Sequence, residues 1–252
     1  MLAAFVFPPI DEIFRWKDVA FKGTPFALNK TGILCLVSAL LVVWLFVQGS
    51  RKMKLVPHGL QNVVEMGYEF VDRGIAKDVI GPTASGWTPF LGALFFYILF
   101  LNLWEVIPVI QFPPTSRFAI PFYLALQTYV IMIIAGFKTQ GFRYVTHHIF
   151  PPGVPLPLYV LVTPIEIVSV FIVRPFSLAV RLLANMMAGH ILLTAMALLT
   201  AYALNNAPLI AIGPFALNIA VTAFEILVAF LQAYIFTLLT AVYVAESVNP
   251  EH

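Results

Sequence analysis

Two apolar stretches near the C-terminus, Leu158 to Tyr202 and Pro208 to Ala245, constrain this chain more than any other feature. At 1.5 Å per residue, helices of about 45 and 38 residues reach roughly 67 and 57 Å. A hydrocarbon core of about 30 Å is far thinner. No polar turn divides either stretch, although Pro164, Pro175 and Pro214 can kink them. The helices must therefore tilt strongly or run partly along the membrane, a shape suited to wrapping around a large partner. Inside the first stretch sits Arg181. A cation at the centre of a membrane helix costs roughly 2.5 to 3.5 kcal/mol on insertion scales, so it faces a partner or water rather than lipid.

Composition agrees with a polytopic membrane protein: 61% of residues are hydrophobic, 10% are charged, and mean hydropathy is +0.93. A net charge of +2, with basic residues scattered among loops, gives no nucleic-acid footprint. The single cysteine, Cys35, excludes an internal disulfide and offers no metal-ligand spacing. The opening MLAAFVFPPIDEIF lacks the pattern of a cleaved signal, and residues 1–31 are expected to form an extracytoplasmic segment on the charge bias that follows the first span.

The first span is expected over 32–48, and the basic group Arg51, Lys52 and Lys54 behind it places the N-terminus outside. Over 57–80, Leu60, Val63, Val64, Gly67, Phe70 and Val71 recur at helical spacing among Glu65, Glu69, Asp72, Arg73, Lys77 and Asp78. This predicts an amphipathic helix lying on the cytoplasmic face. A helical hairpin over 87–137 (Trp87 to Ile110, then Ile120 to Phe137) turns at QFPPTSR and returns to Lys138 and Arg143. The cytoplasmic linker 138–157 is basic and rich in proline, and a long tilted hairpin occupies 158–246. The expected fold class is thus an all-α integral membrane protein. It has about five membrane-embedded helices and one interfacial helix. No transporter-like internal repeat is present.

From Pro157 to Ala245 the formally charged residues are Glu166, Arg174, Arg181 and Glu225, with His190 as a further titratable group. If the hairpin turns near Asn205 to Pro208, His190 lies level with Glu225, and Arg181 with Gln232. Ser177, Arg181 and Asn185 share one helix face, flanked by the small Ala184 and Ala188. His190 points to the opposite side, and Glu225, Ala229 and Gln232 form one stripe. A titratable pair on one side of a fixed cation describes a proton route that ends at a charge barrier.

The runs RPFSLAVRLLANMMAGH, FEILVAFLQAYIFTLLTAVYVAE and NLWEVIPVIQFPPTSRFAIPFYLAL resemble subunit a of rotary F-type ATP synthases, from about Trp87 to the C-terminus. The resemblance implies that Arg181 faces the carboxylate of a rotating c-ring, with Asn185 and Gln232 nearby. It also implies that His190 and Glu225 line an aqueous half-channel. Where the family commonly has glutamate, this chain has Ile167, and Glu166 stands one residue earlier; a one-residue insertion or a helix bulge would account for the offset. The implied partners are c-ring proteolipids, peripheral-stalk b-type subunits and membrane lipid. No cofactor, metal or covalent chemistry is implied, so the chain has no catalytic residue of its own. The bacterial plasma membrane is the expected location, with the mitochondrial inner membrane as the alternative.

Plainer roles compete at several positions. Asn102 and Glu105 either cap a helix or line the channel mouth, and Gln127 is a weaker candidate of the same kind. Arg181 can pair with Glu225 inside the chain, and Asn185 and Gln232 can simply bond to each other. Arg174 can snorkel to headgroups, while His147 and His148 read as solvated loop residues. Two other readings of the whole chain remain: a self-contained secondary transporter or channel, and a structural membrane scaffold.

Overall fold

The computed structural model describes residues 29–51, 53–144, 158–206 and 208–248. The expectations for residues 1–28, and for His147 and His148, lie outside the described residues. Among the described residues the ordered elements are helical. The longer ones are α1 (Lys30–Ser50), α2 (Leu60–Val71), α3 (Thr88–Leu103), α4 (Ala119–Gln140), α5 (Tyr159–Val168), α6 (Arg174–Asn206) and α7 (Ile212–Val248), and short helical turns follow α2 over Asp72–Lys77, Asp78–Ile80 and Gly81–Gly86. A π-helical turn, Ser169–Val173, joins α5 to α6, giving one run, Tyr159–Asn206, of 48 residues.

Four helical runs are long and apolar enough to cross a membrane: α1, α4, the α5–α6 run and α7. The fifth apolar helix, α3, has 16 residues, which span about 24 Å. It stops at Leu103, although the apolar run continues to Ile110, because Pro108 cannot donate a helical bond to Trp104 and its ring would strike that carbonyl. The chain beyond makes tight turns, with positive φ at Val109 (78°) and Gln111 (38°). For a branched residue such as Val109 that conformation is strained. Lys30 Nζ donates to the Ile110 carbonyl at 2.7 Å and Trp104 Nε1 to Ser38 Oγ at 2.7 Å, so α1 braces the shortened end of α3.

Burial follows helical periodicity. In α1 the buried residues Leu34, Ser38, Val42, Leu45 and Gly49 lie three or four apart and pack toward α2 and α3. The opposite face exposes Leu36, Leu40, Val43, Trp44 and Val47, as lipid-facing side chains require. Val64, Val71, Ile75 and Ile80 anchor the amphipathic segment into the same core as Leu91, Phe95, Leu178 and Phe236. Its Arg73 and Glu69 form an exposed ion pair at 2.8 Å.

Two contacts set the angle of this interfacial segment. A Cβ at Gly49 would come within 2.5 Å of Val64 Cγ2, so only glycine lets α2 approach α1 so closely. Gly49→Ala is expected to destabilise the protein by about 1 to 3 kcal/mol through overpacking, read as a lower unfolding temperature in detergent. Thr88 Oγ1 and Lys77 Nζ meet the Asp72 carboxylate at 2.8 and 2.5 Å. The Lys77 hydrogen bond, then that of Thr88, holds Asp72 below the usual carboxylate range. This tie is present above the ordinary carboxylate pKa and is lost as pH falls through the lowered value.

Helix α7 lies at the centre, packed against α6, α3 and α4. Its buried Ala229, Ala233, Phe236, Thr240 and Val244 face these neighbours. Thr237 and Thr240 return their hydroxyls to the Ala233 and Phe236 carbonyls at 2.8 Å each. The threonines therefore occupy the apolar core without leaving a free donor.

Candidate functional site

The site is built on two faces of α6. Leu178, Leu182, Met186 and Gly189 are buried on the inner side, whereas Arg181, Ala184, Asn185 and Ala188 are exposed on the outer side. Arg181 thus stands on an open, small-residue face of a membrane-length helix. Among the described residues it forms no ion pair; in particular, Glu225 does not pair with it. Asn185 Nδ2 donates to Gln232 Oε1 at 2.7 Å, so the glutamine expected level with Arg181 bonds one turn further along. Gln232 is buried, and its Nε2 has no hydrogen-bond partner among the described residues. The Asn185 bond fixes the glutamine beside the arginine face.

The inner side gathers the titratable groups. His190, Glu105 and Glu225 are 7%, 2% and 4% exposed. Glu105 Oε1 lies 3.9 Å from His190 Nδ1, and Phe112 packs edge-on to the imidazole with centroids 6.0 Å apart. The Glu225 carboxylate rests against Gly189, where a Cβ would lie 2.5 Å from its Oε2 and 2.7 Å from its Cδ. A glycine next to His190 is therefore what allows the acid of α7 to reach the histidine's level. Oxygens Glu105 Oε1 and Glu225 Oε2 are buried without hydrogen-bond partners. Buried carboxyl oxygens of this kind call for water or a proton.

Beside this cluster a cavity of about 370 Å³ is lined by Glu105, Gln111, His190, Thr194, Asn218 and Thr222, among others. Asn102 sits just inside, fully buried. It accepts from Thr115 Oγ1 at 2.8 Å and donates to the Ala229 carbonyl at 3.5 Å. It cross-links the end of α3 to α7 rather than lining the cavity. Glu105, paired with it in sequence, does line the cavity. Gln111, Thr194, Asn218 and Thr222 were not singled out from sequence. Yet Thr194 lies one turn beyond His190, and Thr222 and Asn218 lie one and two turns before Glu225, so helical periodicity carried the signal.

The remaining candidates stand apart. Ser177 Oγ donates to the Arg174 carbonyl at 3.1 Å, a local bond within α6. Glu166 is half-buried on α5. The one-residue offset at Glu166 falls on the helical segment that contains the π-turn Ser169–Val173, which accommodates one extra residue. Arg174, read as snorkelling, instead forms an ion pair with Glu246 at the end of α7, and its guanidinium lies 5.4 Å from the centroid of Tyr243. Sequence reasoning passed over Glu246 because it lies beyond the apolar run. Among the described residues no group of three His, Cys, Asp or Glu is placed to hold a metal ion.

Comparison with known proteins matches residues 32–245 to the family model of the ATP synthase A chain. The chain belongs to the ATP synthase A chain family. It is 43% identical over 251 residues to ATP synthase subunit a of Frankia alni, covering 97% of this chain and 87% of that protein. ATP synthase subunit a of Rhodococcus erythropolis is 40% identical over 255 residues, with 97% and 90% covered. That of Streptomyces lividans is 38% identical over 257 residues, with 100% and 88% covered. The family match begins at residue 32, upstream of the Trp87 boundary at which the motifs first carry the resemblance. For an ATP synthase A chain with these helices, a multi-pass membrane protein follows.

Proposed function

We propose that this chain is the static membrane subunit of a rotary F-type ATP synthase, forming two aqueous half-channels that load and unload protons on a carboxyl group of a c-ring. The observation that carries this reading is Arg181: a cation on an exposed helix face with no ion-pair partner among the described residues. Such a cation requires an anionic or aqueous partner from outside the chain. The open row of Ala184 and Ala188 beside it admits another helix closely.

A ring carboxyl moving through lipid is neutral, because burying its charge raises its pKa. Opposite Arg181 the preference reverses and the proton leaves. The cavity lined by Glu105, His190 and Thr222 supplies one aqueous route, with Glu225 one turn beyond Thr222 on α7. Arginine suits the barrier because it does not deprotonate in proteins and cannot relay the proton. The chain performs no covalent chemistry in this role; peripheral-stalk subunits hold it still, and the bacterial plasma membrane is its setting.

The test is ATP-driven acidification of inverted vesicles carrying Arg181→Ala, beside wild type, with assembly checked by pull-down of the ring. Loss of pumping in an assembled complex is expected. Normal pumping would show that Arg181 is not the counter-charge.

A further inference from the structure

Helix α6 begins at its weakest point. The π-turn Ser169–Val173 precedes it directly. Pro175, its second residue, has no N–H for the carbonyl one turn back. Pro164 interrupts the preceding α5 in the same way. Backbone hydrogen bonding alone therefore fixes neither the rotation nor the depth of α6 at this end. Arg181 lies two turns further on, and no side chain among the described residues bonds it in place.

Two cross-helix ties bracket it. After Arg181 comes the Asn185–Gln232 hydrogen bond at 2.7 Å. Before it comes Arg174, the first residue beyond the π-turn, ion-paired with Glu246 on α7. Both ties join α6 to α7 in one antiparallel register, to which the Gly189–Glu225 contact also conforms. Tyr243 lies beside the pair: the Arg174 guanidinium stands over its ring, 5.4 Å from the centroid. Around it, Gln140 donates to the Ser247 carbonyl at 2.7 Å, anchoring this end of α7 to α4. Glu246 thereby connects the π-turn junction of the long helix to the end of α7. It also neutralises the second cation of α6, leaving Arg181 as the cation of that helix without an anion among the described residues.

We infer that Glu246 is a positioning residue for Arg181: through Arg174 and Tyr243 it clasps the start of α6 to the end of α7, setting the rotation and depth at which Arg181 meets its external partner. This rests on the counter-charge role proposed for Arg181. It differs from a merely stabilising ion pair in what its loss does. With the clasp open, the complex still assembles and hydrolyses ATP, but the misplaced arginine lets protons slip.

The experiment uses the complete ATP synthase in inverted vesicles and measures protons pumped per ATP hydrolysed, per assembled complex, for Glu246→Gln, Glu246→Asp and the Arg174→Glu/Glu246→Arg exchange. The ratio is expected to fall at least roughly threefold in Glu246→Gln, since small misplacements of a positioned group have large effects. Glu246→Asp and the exchange should restore it to within about twofold of wild type. A stabilising role alone would lower assembly, pumping and hydrolysis together, leaving the ratio unchanged, and that result overturns the inference, as does failure of both restoring variants. Arg181→Ala run in parallel separates the two levels. If it abolishes pumping while Glu246→Gln keeps the wild-type ratio, only the clasp is refuted; if it pumps normally, the counter-charge reading falls first.

Discussion

Arg181→Lys is expected to lower ATP-driven acidification at least about tenfold, equivalent to roughly 1.4 kcal/mol, while leaving the subunit in the membrane. Positive charge is retained in this variant, so the loss would identify which property of arginine is needed. Lysine presents a compact, strongly hydrated point charge, and its pKa shifts readily when water is withdrawn. Between ring and stator, a lysine can therefore release its proton and become a relay instead of a barrier. Passive proton permeability of vesicles stripped of the ATP-hydrolysing part should rise accordingly. The environment on this side supports the expectation: Ala184 and Ala188 leave the face open, and the buried Gln232 Nε2 has no hydrogen-bond partner among the described residues. Wild-type pumping and permeability in Arg181→Lys would mean that any cation suffices and that the barrier lies elsewhere.

Much of this arrangement was legible in the sequence because membrane burial makes polar residues conspicuous. Arg181, His190 and Glu225 stand out against apolar neighbours, and assuming an antiparallel hairpin was enough to bring His190 and Glu225 to one level, where Gly189 now touches the acid. The lateral relations were not legible. Glu105 reaches His190 at 3.9 Å only because α3 ends early at Leu103 and the chain turns through Val109 and Gln111 at positive φ. Hydropathy extends that helix to Ile110; the effect of Pro108 on the preceding carbonyl decides otherwise. Glu246 escaped for a different reason. It lies outside the apolar run, where a charge is unremarkable, and its meaning comes from Arg174, a residue 72 positions away. Side-chain amides were similarly ambiguous: Gln232 and Asn102 are both buried, but one bonds across to Asn185 near the arginine and the other ties α3 to α7.

The inner cluster leads to the second large effect. Glu225→Gln preserves the size and much of the hydrogen-bonding capacity of the side chain but removes its ability to take and release a proton. Positioned acid–base groups contribute roughly 10²- to 10⁴-fold to the proton transfers they mediate. A relay among several groups is more tolerant, because Glu105 and His190 remain beside the cavity, so the expected fall in pumping rate is about ten- to a hundredfold. Gly189→Ala provides the geometric counterpart, keeping the carboxyl chemistry while its methyl would meet Glu225 Oε2 at 2.5 Å. The carboxylate is the end of a flexible chain and can swing aside, so a loss of only a few-fold is expected, together with a changed pH dependence of pumping. Initial rates of vesicle acidification across pH, normalised to assembled complex, measure both. Should Glu225→Gln pump at the wild-type rate with an unaltered pH profile, protons do not pass through this carboxyl. The buried acid would then serve only to fill the space that Gly189 leaves.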